Sequence, residues 1–197
     1  AEVLRKGNLP LRKHWITLVT MSSKWAEASQ TDSSARGCAH AMLADRMETV
    51  QAMLPLAAHH FQEHIEHVHQ LRVGCRRAMA ALRAFEPLFS AKPRRLKKWL
   101  RRIREGAGPA RDADVLLARF QKNSPSDPVT EYAITRLKSQ RCEAQEQLIK
   151  VAAKASRGQL IHCVDQTLRS LSHDSDSAEL AFTEYARHAL RLSNASF

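Results

Sequence analysis

An antiparallel all-α bundle is the fold class that this sequence predicts, and three observations point to it. Only six Gly and seven Pro occur among 197 residues, and they sit in a few clusters that leave long tracts free of helix breakers. Those tracts are rich in Ala, Leu, Arg, Glu and Gln, the better helix formers, and their apolar residues recur at the spacing of one helical face. Long helices joined by short connections pack as a bundle. The chain is 44% hydrophobic, enough to fill a core.

Residues 1–33 carry a basic patch, the apolar stretch from Trp15 to Val19, and a polar run that ends at Ser34. They read as a loosely attached segment plus linker. Ser34 is placed to cap a helix whose positions Ala39, Met42, Leu43, Met47, Val50 and Leu54 keep the 3.6 period until Pro55, where the chain is expected to restart. A short His-rich helix should follow, and then a basic helix through residues 69–85. After Pro87 and Pro93, Leu96, Trp99, Leu100 and Ile103 share one side of a helix, while Arg94, Lys97, Arg101 and Arg104 share the other. Gly106 and Gly108 are expected to stop it, and Pro109 marks a turn into a helix over 110–120.

A Ser- and Pro-rich break over 124–128 precedes one long helix, 129–155, with Ala133, Leu137, Ala144, Leu148 and Val151 inward. Arg136, Lys138, Arg141 and Lys150 are expected outward or sideways. Gly158 interrupts that helix. Residues 159–171 form another, 172–177 a polar linker, and 178–192 a last amphipathic helix.

The formal net charge of +11 implies an anionic partner: nucleic acid, polyphosphate or a membrane surface. No apolar run approaches the roughly 20 residues of a membrane span, and residues 15–21 are too short and polar for a signal sequence. Cys38, Cys75, Cys142 and Cys163 are scattered without a C-x-x-C spacing, which suits free thiols in a reducing compartment such as the cytoplasm.

The helix from His69 to Phe85 is the most informative. At about 100° per residue, Arg72, Arg76 and Arg83 fall near His69 on one narrow face, opposite Leu71, Cys75, Ala78, Leu82 and Phe85. A solvated face normally interleaves acids, because like charges one turn apart cost roughly 0.2–0.5 kcal/mol per pair. None occurs between Gln70 and Phe85. Histidines 60, 64 and 67 share a helical spacing, but the H-E-x-x-H pattern is missing and no distant ligand stands out, so no metal is expected. With no Gly-rich phosphate loop, nucleophile elbow or acid–base pair on one face, no catalytic residue or cofactor is expected either.

In combination, His69-x-x-Arg72-Val73-x-x-Arg76-Arg77 and Gly108-x-x-Arg111-Asp112-x-Asp114-Val115, some 35 to 45 residues later, resemble the CHAD domain family over roughly residues 36–171. That resemblance implies repeated four-helix units whose basic helices line a groove that binds inorganic polyphosphate. It assigns His69, Arg72, Arg76 and Arg77 to the basic helix, Arg111 and Asp112 to an arginine–aspartate turn, and Arg83 and Arg141 to further basic positions.

Arg94, Lys97, Lys98, Arg101 and Arg104 are expected nearby. Arg holds two phosphate oxygens at once, whereas Lys97 and Lys98 offer point charges. Arg111, at a helix start, can point at a phosphate while Asp112 or Asp114 caps the backbone or fixes a neighbouring Arg. His69 adds a further hydrogen-bond donor to the same face.

The family carries its histidine–arginine helix twice. The resemblance therefore divides this chain into 1–33, a first four-helix repeat over 34–157, and an incomplete second repeat over 158–197, with a second copy of the chain able to complete the groove. The expected function is non-enzymatic polyphosphate binding, with association to polyphosphate granules and nucleic acid as a weaker competitor. The alternative is a nucleic-acid-binding helical protein. The basic helices offer few aromatics for stacking and few amides for base edges, which disfavours it.

Overall fold

The computed structural model describes residues 34–123, 127–156, 158–172 and 180–194. The expected N-terminal segment 1–33 lies outside the described residues, as do most of the Ser/Pro-rich break and of the polar linker before the last helix. Seven α-helices are present among the described residues: α1 (Ala35–His59), α2 (Glu66–Ala84), α3 (Arg94–Gly106), α4 (Gly108–Asn123), α5 (Pro128–Ser156), α6 (Gln159–Ser172) and α7 (Phe182–Asn194). A single 3-10 turn, Glu86–Leu88, follows α2. The fold is all-α.

Ser34 caps α1 as expected, its Oγ accepting from the Gly37 amide at 3.0 Å. The helix does not restart at Pro55. It runs through to His59, because Met53, Leu54, Ala57 and Ala58 on either side of the proline are all buried. Their packing outweighs the roughly 3 kcal/mol that an interior proline costs. The expected short His-rich helix is a turn instead, since α1 ends at His59 and α2 begins at Glu66. Within it His60 pairs with Glu63 at 3.0 Å, and His67 Nδ1 lies 3.1 Å from the His60 carbonyl.

The turn makes α1 and α2 antiparallel. Gly74 permits their close approach, since a Cβ there would stand 3.3 Å from Val50 Cγ2. Against this pair lie α3, the second half of α5, and α6. Their shared core holds Leu43, Met47, Leu71, Leu82, Leu96, Leu100, Ile103, Leu148 and Leu171, all fully buried. Each such side chain contributes about 1.5–3 kcal/mol. The segment after residue 158 adds Leu160, Cys163 and Val164 to the same core, and Tyr185 of α7 stacks on Phe85 while donating to the Ala84 carbonyl.

The first half of α5 packs along α4 as a helical hairpin. Asp127 caps α5 by accepting from the Val129 and Thr130 amides at 2.9 and 3.0 Å. The expected break between α3 and α4 is a single residue, Ala107. Pro109 falls in the first turn of α4, where its missing N–H costs nothing.

Candidate anion-binding site

Two contacts set the register of α2 on α3. At one end Arg72 Nη1 donates to the Arg104 carbonyl at 3.4 Å. At the other Lys97 Nζ lies 3.1 Å from the Glu86 carboxylate just beyond α2. The helices are therefore antiparallel, with their basic stripes side by side: Arg72, Arg76 and Arg83 along α2, and Arg104, Arg101, Lys97 and Arg94 along α3. The opposite stripes are buried, Leu71, Cys75, Ala78 and Leu82 on α2 and Leu96, Trp99, Leu100 and Ile103 on α3. Amphipathic periodicity alone puts the cations outward on both helices.

The charge is densest where α3 passes into α4. Arg72 reaches across Gly108, whose Cβ, if it had one, would stand 2.8 Å from Arg72 Nη1. Glycine here leaves room for a guanidinium against the backbone. Behind these side chains, burial pushes the Cys75 thiol up from 9.0 to about 12, against the opposing pull of Arg104 and Arg72. Both cations therefore act on the same buried point. Arg111, on the first turn of α4, completes the group and contacts Glu66 at 3.3 Å. Arg72 from α2 and Arg104 from α3 thus lie at this junction, and Arg111 from the start of α4 is held by Glu66.

The remaining expected residues divide by exposure. Arg76, Arg83, Arg94 and Lys98 are exposed, and His69, Arg77 and Lys97 half-buried. Arg101 pairs with Glu105 on its own helix at 2.8 Å. His69 precedes Arg72 by one turn on the same face.

Arg141 corrects the sequence reading. Expected outward on the binding face, it lies inside the bundle, its Nε donating to Asp114 Oδ1 at 2.5 Å and its Nη1 to Gln145 Oε1 at 2.7 Å. Its guanidinium carbon sits 4.5 Å from the centre of the Phe61 ring. Gln145 in turn donates to the carbonyls of Ala57 and Ala58 in the last turn of α1. This relay ties α4 and α5 to the end of α1, and it holds Arg141, only 6% exposed, out of reach of a polyanion on the surface. Asp114 thus fixes a neighbouring Arg, as one of its two expected roles had it. Asp112 is exposed.

Sequence reasoning missed Gly108 as the seat of Arg72, Glu66 and Glu86 as partners of the basic face, and Gln145 as the link to α1. Gln145 stands one turn after Arg141, a legible spacing. Glu66 lies 45 positions from Arg111, and no local pattern joins them. Among the described residues no group of three or more His, Cys, Asp or Glu is placed to hold a metal ion. No helix there is long and apolar enough to cross a membrane.

The family model of the CHAD domain matches residues 41–197. No curated protein and no solved structure matches the chain.

Proposed function

Since the chain belongs to the CHAD domain family, we propose that it binds inorganic polyphosphate, without catalysis, along the basic face of α2 and α3. The observation that carries this reading is the seating of Arg72 on the α3–α4 junction, against the Arg104 carbonyl and Gly108, with Arg104 acting on the same buried thiol. Cations set along one face repel each other, and an anion with several closely spaced charges relieves that repulsion at every contact. The exposed Arg76, Arg83, Arg94 and Lys98 extend the track away from this end.

Affinity comes from many weak charge contacts and from the counterions they release, so it falls steeply with salt. Glu66, Glu86 and Glu105 occupy Arg111, Lys97 and Arg101 in the free protein. Exposed pairs of this kind are worth about 0–1 kcal/mol, and polyphosphate displaces them at little cost. Where polyphosphate accumulates as granules, the same face would hold the protein there.

Competition tests the reading. At equal phosphate concentration and moderate salt, long-chain polyphosphate displaces labelled duplex DNA from the protein, and DNA fails to displace polyphosphate. Equal competition by the two would overturn it in favour of a general nucleic-acid binder.

A further inference from the structure

The α4–α5 hairpin carries charges that the bundle does not use. Between its helices runs an open groove of about 550 Å³, lined by Pro109, Asp112, Leu116, Leu137 and Glu143 among others. Leu116 is 42% exposed at its centre. Towards the hairpin tip, Arg119 follows Leu116 by three residues and Arg136 precedes Leu137 by one, both exposed. No hydrogen bond or ion pair joins Asp112, Arg119 or Arg136 to another described residue, and Glu143 receives a 3.4 Å approach from Ser139 Oγ. The groove face of the hairpin thus carries acids towards its base and cations towards its tip.

The spacing of these charges is regular. Asp112 and Arg119 are seven residues apart on α4, and Arg136 and Glu143 seven apart on α5. Seven residues are about two turns, or roughly 10.5 Å, and return nearly to the same face. Asp114 meets Arg141 across the hairpin, so the midpoint of the first pair, between 115 and 116, lies level with the midpoint of the second, between 139 and 140. One twofold axis through that level, lying across the helices, carries each acid onto the position facing a cation on the other copy.

We infer that the open face of this hairpin docks on the same face of a second copy of the chain, antiparallel, so that Asp112 meets the partner's Arg119 and Glu143 meets the partner's Arg136. The symmetry operation makes four ion pairs at once and brings Leu116 and Leu137 together with their copies at the centre. A parallel arrangement would lay α4 on the partner's α5 and set Asp112 against the partner's Glu143 and Arg119 against the partner's Arg136, which like-charge repulsion disfavours. A foreign partner would not require two acid–cation pairs that share one centre. Self-association does, because an isologous interface must be its own complement. Arg111 stands about 100° around α4 from Asp112, so the anion-binding face stays open in the dimer, and the inference does not depend on what that face binds.

Sedimentation velocity on the full chain, without polyanion and at physiological salt, reads the outcome. The wild-type chain forms dimers at micromolar concentration. Asp112→Lys with Glu143→Lys makes the groove basic throughout, and Arg119→Glu with Arg136→Glu makes it acidic. Each variant alone self-associates at least about tenfold more weakly. An equimolar mixture of the two restores a one-to-one dimer. Circular dichroism confirms that each variant is folded, and a charge reversal that lost helicity would be replaced by the neutral Arg119→Gln with Arg136→Gln, for which a weaker dimer is again expected. A wild-type chain that stays monomeric at about 200 µM, a reversed variant that still pairs with itself as the wild type does, or a mixture that stays monomeric would each overturn the inference.

Discussion

Replacing Asp114 by Ala should destabilise the protein by about 3 kcal/mol, the lower end of the 3–5 kcal/mol that breaking a buried ion pair costs. The Asp114 and Arg141 side chains are only 5% and 7% exposed, so the variant strands a guanidinium inside the bundle. The loss is softened because Arg141 keeps Gln145 at 2.7 Å and the Phe61 ring beneath it. The native pair is itself imperfect, since Asp114 Oδ2 is buried without a hydrogen-bond partner. Apolar replacement of both residues therefore recovers most of the loss. Asp114→Ala with Arg141→Met should lie within about 1 kcal/mol of wild type. Urea unfolding followed by circular dichroism measures the four corners of this double-mutant cycle, with an expected coupling of about 2 kcal/mol or more. An Asp114→Ala variant that loses less than about 1 kcal/mol, or a cycle without coupling, would refute the reasoning.

Three further outcomes are expected. Gly108→Ala puts a methyl where Arg72 Nη1 now lies 2.8 Å away. It should therefore keep or raise the melting temperature, through better helix propensity, while weakening polyphosphate binding roughly three- to tenfold with Arg72 still charged; calorimetry checks both. Cys142 is exposed whereas Cys38, Cys75 and Cys163 are buried, and Cys75 stays protonated up to about 12. One thiol should react quickly with an aromatic disulfide at pH 8, and Cys75 only on unfolding. The hydrogen bonds from Thr130 and Val129 hold Asp127 below its ordinary 3.8, so its support of α5 is present above that value and fades as the pH falls through the lowered one. Protection from hydrogen exchange in the first turn of α5, taken relative to the intrinsic exchange rate at each pH, should fall on acidification there, and Asp127→Asn should flatten that dependence.

Stripe-and-cap reasoning read most of the helices correctly, because a 3.6 period and a capping serine are local signals. It placed the buried faces of α2 and α3 residue by residue, and with them the outward cations. It failed where distant packing decides. Pro55 reads as a breaker until α2 and α5 are laid against both sides of it. Arg141 reads as one more surface cation, since nothing near it in sequence announces Asp114, 27 positions back. The single-residue joint at Ala107 depends on Gly106 nestling against Val151, 3.1 Å from a would-be Cβ. That contact is invisible without α5. The glutamates that occupy the basic face were hidden for the same reason.

The dependence of polyphosphate affinity on salt, measured for the wild type and for Arg72→Glu with Arg76→Glu, tests the central claim most directly. The wild type should bind long-chain polyphosphate tightly at low salt, with the logarithm of its affinity falling linearly in log salt concentration. The double reversal should unfold at the same urea concentration as wild type and bind at least about a hundredfold more weakly with a shallower slope. A folded double variant that kept the wild-type affinity and slope would show that the anion is held elsewhere, and that this basic stripe is only a solvated face.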